Sequence, residues 1–344
     1  MFFRGKKKRE GGAATAVDPA ELFAEIDRLT ESNRAERDPA KEFELRRLRH
    51  LAGIALVDAP AGDPVFPEPA PAAPSLNPES GLPEIAPEDL SPEILRAAIL
   101  EHGCLLVRGL MDERTATGLA ADIERSFSVR TQLKGTDRTD PEGFYDELDP
   151  EAPYEVQKRD WIEEGGGVLA ADSPKMFNEM LSSFESAGLR RVIEGYLGER
   201  PAVSADKCTL RKATPDVVGA WHQDGKFMGD EIRAMNVWLS LSHCGGDNPA
   251  PGMDLVPRRL DGHVAAGTEG TFFPSQVSQA VAEEAAGDLG IVNPSFAPGD
   301  ALLFDELYLH QTGGRPGLTE PRYAIESWFF GPSAFPEIYV PLAF

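Results

Sequence analysis

Cysteine is nearly absent from the 344 residues. Cys104, Cys208 and Cys244 are odd in number and far apart, which argues against a disulfide framework and suits reduced thiols in a cytoplasmic protein. Cys208 and Cys244 fall in or beside expected strands, where a small apolar residue packs well, and no chemistry is assigned to them. Long apolar runs are missing too. Nothing approaches transmembrane length and no apolar run occupies residues 11–20, so neither an integral membrane segment nor a signal peptide is expected. Positive charge is scarce: 34 basic residues stand against 57 acidic ones, a net charge of −23. Gripping a phosphate backbone needs a concentrated basic surface, so nucleic acid is disfavoured as a partner. The local exception is Arg4, Lys6, Lys7, Lys8 and Arg9, which read as a solvated terminus or, alternatively, as a weak contact for anionic lipid.

What is present is enough for a sizeable core, with 41% hydrophobic and 26% charged residues, in one large domain or two smaller ones. Asp18-Pro19 and Asp38-Pro39 each place a capping carboxylate before a proline at the first helical position, and each is followed by apolar residues at helical spacing. Two amphipathic helices therefore fill an N-terminal extension over residues 1–57. They are too few for a core of their own, and dock on the main domain or on a partner. Residues 58–83 hold eight prolines in 26 positions and read as an extended linker. The main domain then spans 84–344. It opens with a helix from Ser91-Pro92, a buried strand over 103–109 and a helix capped by Asp112. Periodicity fades over 128–172, where Tyr145, Tyr154, Trp161 and Gly165-Gly166-Gly167 are dispersed. The glycines lack the spacing of a phosphate loop, and a lid is the preferred reading over a plain surface loop. Residues 176–197 are helical. Short strands follow over 204–212, 218–224, 234–241, 253–256, 301–305 and 322–330, the spacing of a sandwich or barrel.

Chemistry concentrates at Trp221-His222-Gln223-Asp224-Gly225. In an extended strand, residues two apart share a face, so His222 and Asp224 project together while Gln223 faces away. Two ligands of a 2-His-1-carboxylate metal site result, the facial set that suits non-haem Fe(II). The plainer alternative is a strand-end histidine bonded to a turn aspartate. The chain has only six histidines. His50 falls in the N-terminal helix and His102 precedes the first strand. Among His243, His263 and His310, only His310 follows a Gly-Asp turn plus strand, Pro298 through Asp305, and precedes a suitable arginine. That arginine is Arg322, opening a strand that returns beside His310, where a guanidinium can grip a carboxylate in a two-pronged pair. Arg315, between Gly314 and Pro316, reads as exposed. Thr312 either adds a hydroxyl to the same carboxylate or caps a turn.

Trp221-His222-Gln223-Asp224, Asn236-Val237-Trp238-Leu239-Ser240-Leu241, Gly252-Met253-Asp254-Leu255-Val256-Pro257, Pro298-Gly299-Asp300-Ala301-Leu302-Leu303-Phe304-Asp305, His310-x-Thr312 and Arg322 together resemble the phytanoyl-CoA dioxygenase family of Fe(II)/2-oxoglutarate oxygenases. The resemblance covers roughly residues 83–332. It implies a mainly β fold with flanking helices around a double-stranded β-helix, a jelly-roll or cupin-like core. It also implies Fe(II) held by His222, Asp224 and His310, and 2-oxoglutarate held through its distal carboxylate by Arg322 and Thr312. Trp238 either lines that pocket or is a core aromatic. The implied reaction hydroxylates a small organic substrate and releases succinate and CO2. Asp224 favours hydroxylation over halogenation, since related halogenases carry a small residue at that position. The sequence departs from the family where Val256-Pro257-Arg258-Arg259-Leu260 replaces Pro-Gly-Ser-His. Arg258 and Arg259 there either meet an anionic substrate or form exposed ion pairs. The acidic balance speaks against a coenzyme A thioester. Two other function classes remain: a cupin-like barrel with non-oxidative metal chemistry, for which Arg322 has no use, and an interaction protein working through the N-terminal helices.

Overall fold

A computed structural model describes residues 19–59, 62–157, 159–217, 219–229, 232–268 and 270–344. The basic cluster at residues 4–9, the Asp18 cap and Val218 lie outside them. Nine α-helices among the described residues are α1 Pro19–Ala35, α2 Pro39–Asp58, α3 Pro92–His102, α4 Glu113–Leu133, α5 Arg159–Glu164, α6 Pro174–Ser186, α7 Leu189–Leu197, α8 Gly225–Met228 and α9 Gln279–Ala286. Ten strands are β1 Glu84–Ile85, β2 Cys104–Val107, β3 Gly167–Leu169, β4 Ala202–Ala213, β5 Ala234–Ser240, β6 Gly252–Leu255, β7 Ala301–Phe304, β8 His310–Gly313, β9 Arg322–Phe330 and β10 Pro341–Ala343. Helices hold more residues than strands, so the mainly β expectation is corrected to a mixed α/β architecture with a large, mostly antiparallel sheet. Among the described residues no helix is long and apolar enough to cross a membrane.

Eight strands form the large sheet in the order β1-β2-β7-β5-β9-β4-β10, with β3 added on β4, while β6 and β8 form a small sheet. Only β1 and β2 pair in parallel. The large sheet separates two cores because successive side chains alternate. On one face Leu105, Val237, Leu303, Ile325 and Phe329 pack with residues of α3, α4, α6 and α7. On the other, Trp238, Leu302, Phe304 and Trp328 share a cluster with Met253 and Leu255 of β6. A cavity opens between the large sheet and the small one.

Local signals explain many boundaries. Asp38 accepts from the Ala40 amide at 3.0 Å, Ser91 from Ile94 at 3.3 Å and Asp112 from Thr115 at 3.0 Å, each satisfying an otherwise orphaned helix N–H. The helix expected over 176–197 is two helices, parted at Ala187 and Gly188, where Gly188 takes a left-handed φ of 76°. Residues 128–172 are less irregular than their sequence suggests, since α4 runs on to Leu133 and α5 and β3 follow. The expected strand over 218–224 is reduced to single bridges at Trp221 and His222. The proline-rich stretch read as a linker is strapped to the body. Phe66 sits 5.2 Å from Tyr196 between the guanidinium carbons of Arg96 and Arg233, at 4.1 and 4.8 Å, and Arg233 donates to the Pro64 carbonyl at 2.7 Å.

Helix α2 is likewise fixed to the C-terminal strand: His50 Nδ1 donates to the Pro341 carbonyl at 2.9 Å and Arg49 to that of Ala343 at 3.0 Å. Gly53 permits this approach, since a Cβ there would lie 2.5 Å from the Pro341 oxygen. Gly53→Val is therefore expected to lower stability by about 1–3 kcal/mol through overpacking, read as a reduced urea midpoint. An unchanged midpoint would show that this contact does not hold the helix.

Candidate active site

His222 and His310 are joined by a two-way backbone bridge. The His222 amide donates to the His310 carbonyl at 3.0 Å, and the His310 amide returns the bond at 3.1 Å. Residues 88 positions apart in the chain are thereby set side by side, with ring centroids 4.3 Å apart. Asp224 arrives differently from the expectation. It is not two positions along a strand but stands with helical angles, φ −61° and ψ −32°, directly before α8. The Gly225 amide bonds the Glu306 carbonyl at 2.9 Å and anchors that turn. Gln223 faces away, donating to the Leu307 carbonyl at 2.6 Å and accepting from Val264 at 2.8 Å. One ligand atom from each of His222, Asp224 and His310 lies within 4.8 Å of the others. His243 and His263 are exposed and stand outside this trio.

The rings are oriented for coordination. His222 Nδ1 meets the Ala220 carbonyl at 2.7 Å and His310 Nδ1 the Tyr308 carbonyl at 3.0 Å. A carbonyl only accepts, so both Nδ1 atoms carry hydrogen, and in the neutral imidazole it is Nε2 that presents a lone pair to a metal. His310 Nε2 faces Asp224 Oδ2 at 3.7 Å. This is not an ion pair at neutral pH, because burial and repulsion from His222 push His310 down to about 4. Burial raises the Asp224 carboxyl, but Lys207 and the two imidazoles outweigh that and hold it at about 2. An ionised carboxylate and two bare nitrogens converge on one point, which a divalent cation fits.

Lys207 donates to Asp224 Oδ1 at 2.9 Å, occupying one carboxylate oxygen and leaving the other toward the imidazoles. A bulge in β4 puts it there. The pairing with β9 slips between Val203 and Cys208, so Val203 and Ala205 before the slip, and Cys208 and Leu210 after it, all pack in the helix-side core. β4 advances five residues there while β9 advances two, and the three extra residues aim Lys207, Thr209 and Arg211 into the cavity.

That cavity, of about 770 Å³, is lined by the trio together with Thr312, Trp238 and Arg322. Thr312 follows His310 by two on β8, opposite Met253, and the two share a strand face. Arg322 is 1% exposed. Its Nη1 donates to the Gly252 carbonyl at 2.7 Å, its guanidinium lies 5.3 Å from the Trp238 ring, and its Nε has no partner. No carboxylate pairs with it among the described residues. Burial accordingly pulls its pKa below the ordinary arginine value. Asn236 Oδ1, also on the cavity wall, is buried and without a partner. Both atoms leave hydrogen-bonding capacity facing the cavity that a polar ligand or water could satisfy.

Sequence reasoning did not single out Lys207, Asn236 or the Arg211–Glu326 pair. A signal existed for the first and third: Lys207, Thr209 and Arg211 alternate with Cys208 and Leu210, a polar face on a buried strand. Arg315, expected to be exposed, is half-buried and clamps the carbonyls of Gly246 and Asn248. Arg259 pairs with Asp305 while Arg258 is exposed, and neither lines the cavity. The three cysteines are free and buried.

No family model matches the chain, and no curated protein does. Among solved structures, EctD from S. alaskensis with bound Fe is similar at 17% identity and TM-score 0.49, over 79% of this chain and 89% of that one. The same protein with 2-oxoglutarate and 5-hydroxyectoine is similar at 19% and 0.47, over 79% and 88%. AviO1 from Streptomyces viridochromogenes Tue57 is similar at 15% and 0.40, over 69% and 94%. Likeness at this level carries no chemistry from those proteins to this chain.

The depressed His310 value sets a pH dependence in the metal-free protein. An unfolded chain takes up this proton near 6.5 and the folded one only near 4. The contribution is complete above pH 6.5 and is lost as pH falls from 6.5 to 4, by on the order of 3 kcal/mol. Glu306, raised by burial and by Asp305, acts in the opposite sense, so the informative quantity is the difference between wild type and His310→Gln. Urea unfolding across this range should show the wild type losing more stability than the variant. Parallel pH profiles would contradict a buried neutral His310.

Proposed function

We propose that this protein is a non-haem Fe(II)- and 2-oxoglutarate-dependent oxygenase, built on a double-stranded β-helix framework, that hydroxylates a small organic substrate. One observation carries the reading: a buried guanidinium without a carboxylate partner, Arg322, opens into the same cavity as the two imidazoles and the carboxylate. A buried charge calls for a counter-charge. A dicarboxylate that reaches from the trio to Arg322 would supply it.

In this reading His222, Asp224 and His310 hold Fe(II), which when bound supplies the redox chemistry that consumes 2-oxoglutarate and dioxygen, yielding succinate, CO2 and one hydroxylated product. The protein supplies the rest. The carbonyls of Ala220 and Tyr308 fix the imidazole planes, and Lys207 restrains Asp224 to a single free oxygen. Arg322, stacked near Trp238 and tied to Gly252, offers its remaining N–H groups to the far carboxylate of 2-oxoglutarate, and the Thr312 hydroxyl adds a further donor. The walls of Trp238, Phe304 and Trp328 exclude water from this end. A barrel using the same trio for non-oxidative chemistry has no need of an unpaired arginine.

Arg322→Lys retains the charge but loses the planar fork, so 2-oxoglutarate should bind more weakly, and Arg322→Ala should weaken it further. Removing one partner of a buried charge-assisted pair costs about 2–5 kcal/mol, roughly 30-fold to several thousand-fold in affinity. Anaerobic calorimetric titration of 2-oxoglutarate into Fe(II)-loaded wild-type and variant proteins makes the test, with Fe(II) affinity as the control. Equal 2-oxoglutarate affinities would remove Arg322 from the site and the oxygenase reading with it.

A further inference from the structure

Resting on the oxygenase reading, we infer that the substrate admitted beside 2-oxoglutarate is an organic cation with an apolar body, an alkylated amine. A cavity of about 770 Å³ leaves room for a second molecule next to a five-carbon diacid. Its cationic residues are already committed. Lys207 is paired with Asp224 at 2.9 Å. Arg211 grips both oxygens of Glu326 at 3.2 and 3.0 Å and donates to the Gly165 carbonyl at 2.6 Å. Arg322 is taken by the co-substrate. Among the described residues, an anionic substrate finds no free cation on these walls.

The exposed end of the cavity offers the opposite. Trp161 and Phe273 line it, yet are 57% and 59% exposed, a large apolar surface left open at a cavity entrance. Glu164 lines it too. It follows Trp161 by three residues on α5, so the two share a helix face. The neighbouring cations Arg130 and Lys134 are directed to Glu163, leaving Glu164 without an ion-pair partner among the described residues. Aromatic faces beside an unpaired carboxylate attract an ammonium group through the ring quadrupole and the charge together. The net charge of −23 favours the approach of cations over anions.

The test compares two probes of the same shape, choline and its neutral isostere 3,3-dimethylbutan-1-ol, titrated by ligand-observed NMR into the full-chain protein at low salt, with and without 2-oxoglutarate. Choline is expected to bind about tenfold more tightly, within the range of a cation over aromatic rings. Trp161→Leu and Glu164→Gln should each reduce that preference to about threefold or less, and Trp161→Phe should retain most of it. Equal binding of the two probes, or a preference untouched by both substitutions, would overturn the inference. The two readings fail separately. A choline preference that depends on Trp161 and Glu164 supports the cation site even if 2-oxoglutarate binding proves independent of Arg322. Loss of the preference with Arg322-dependent 2-oxoglutarate binding intact sinks the cation site alone.

Discussion

Two backbone hydrogen bonds between His222 and His310 are the constraint on which the site depends. The small sheet has only β6 and β8, too little to be stable in isolation. It is held by bridges to irregular chain: His222 to His310 of β8 and Val292 to Leu255 of β6. Because the bridge lies at the two histidines themselves, it also sets the spacing of their imidazole rings. Each ring is then locked by a carbonyl two residues back in its own chain. Ring orientation is therefore a local property of the backbone, and the site is shaped before anything binds.

Charge in the cavity is likewise set by the fold. Three cations point inward from the large sheet, and two are neutralised by carboxylates that come with the fold. Arg322 alone is left with a carbonyl and an aromatic face. Fully burying a charge without a counter-ion is destabilising, and the two extensive cores on either side of the sheet offset it. Buried polar atoms without a partner occur in several parts of the described chain. Arg322 Nε and Asn236 Oδ1 are two of them, on adjacent strands β9 and β5 and on one cavity wall.

Much of this was readable from residue order. Caps at Asp38, Ser91 and Asp112, the strands around residues 204–212, 234–241, 253–256, 301–305 and 322–330, and the singular position of His310 all rest on local chemistry or period. What stayed hidden depends on long-range geometry. Asp224 joins the histidines through a helical turn fixed by the Glu306 carbonyl, which a strand reading of 218–224 does not contain. Lys207 reaches Asp224 because of a bulge, and a bulge is a mismatch between two strands that neither strand shows by itself. The proline-rich stretch reads as free chain because its anchor, Phe66 between Arg96 and Arg233, is assembled from three distant segments. The mainly β expectation missed for a simpler reason: it weighed the series of strands after residue 203, although α1 to α4, all expected from their caps and period, already hold more residues than the ten strands together.

The departure at Val256-Pro257-Arg258-Arg259-Leu260 bears on where substrate contacts reside. Two adjacent basic residues suggest an anion site, yet Arg259 is spent on Asp305 and Arg258 faces solvent. That segment consolidates the turn after β7 and contributes nothing to the cavity wall. In the proposed oxygenase reading, recognition would fall to the remaining accessible parts of the wall, α5 and the chain around Phe273. Both are short or irregular pieces on a rigid sheet framework, the usual location of specificity because they can vary without disturbing the core. The buried end of the cavity, by contrast, is made of strand residues whose alternation also builds the two cores. Changes there would disturb fold and chemistry together, whereas changes at Trp161, Glu164 or Phe273 alter what enters.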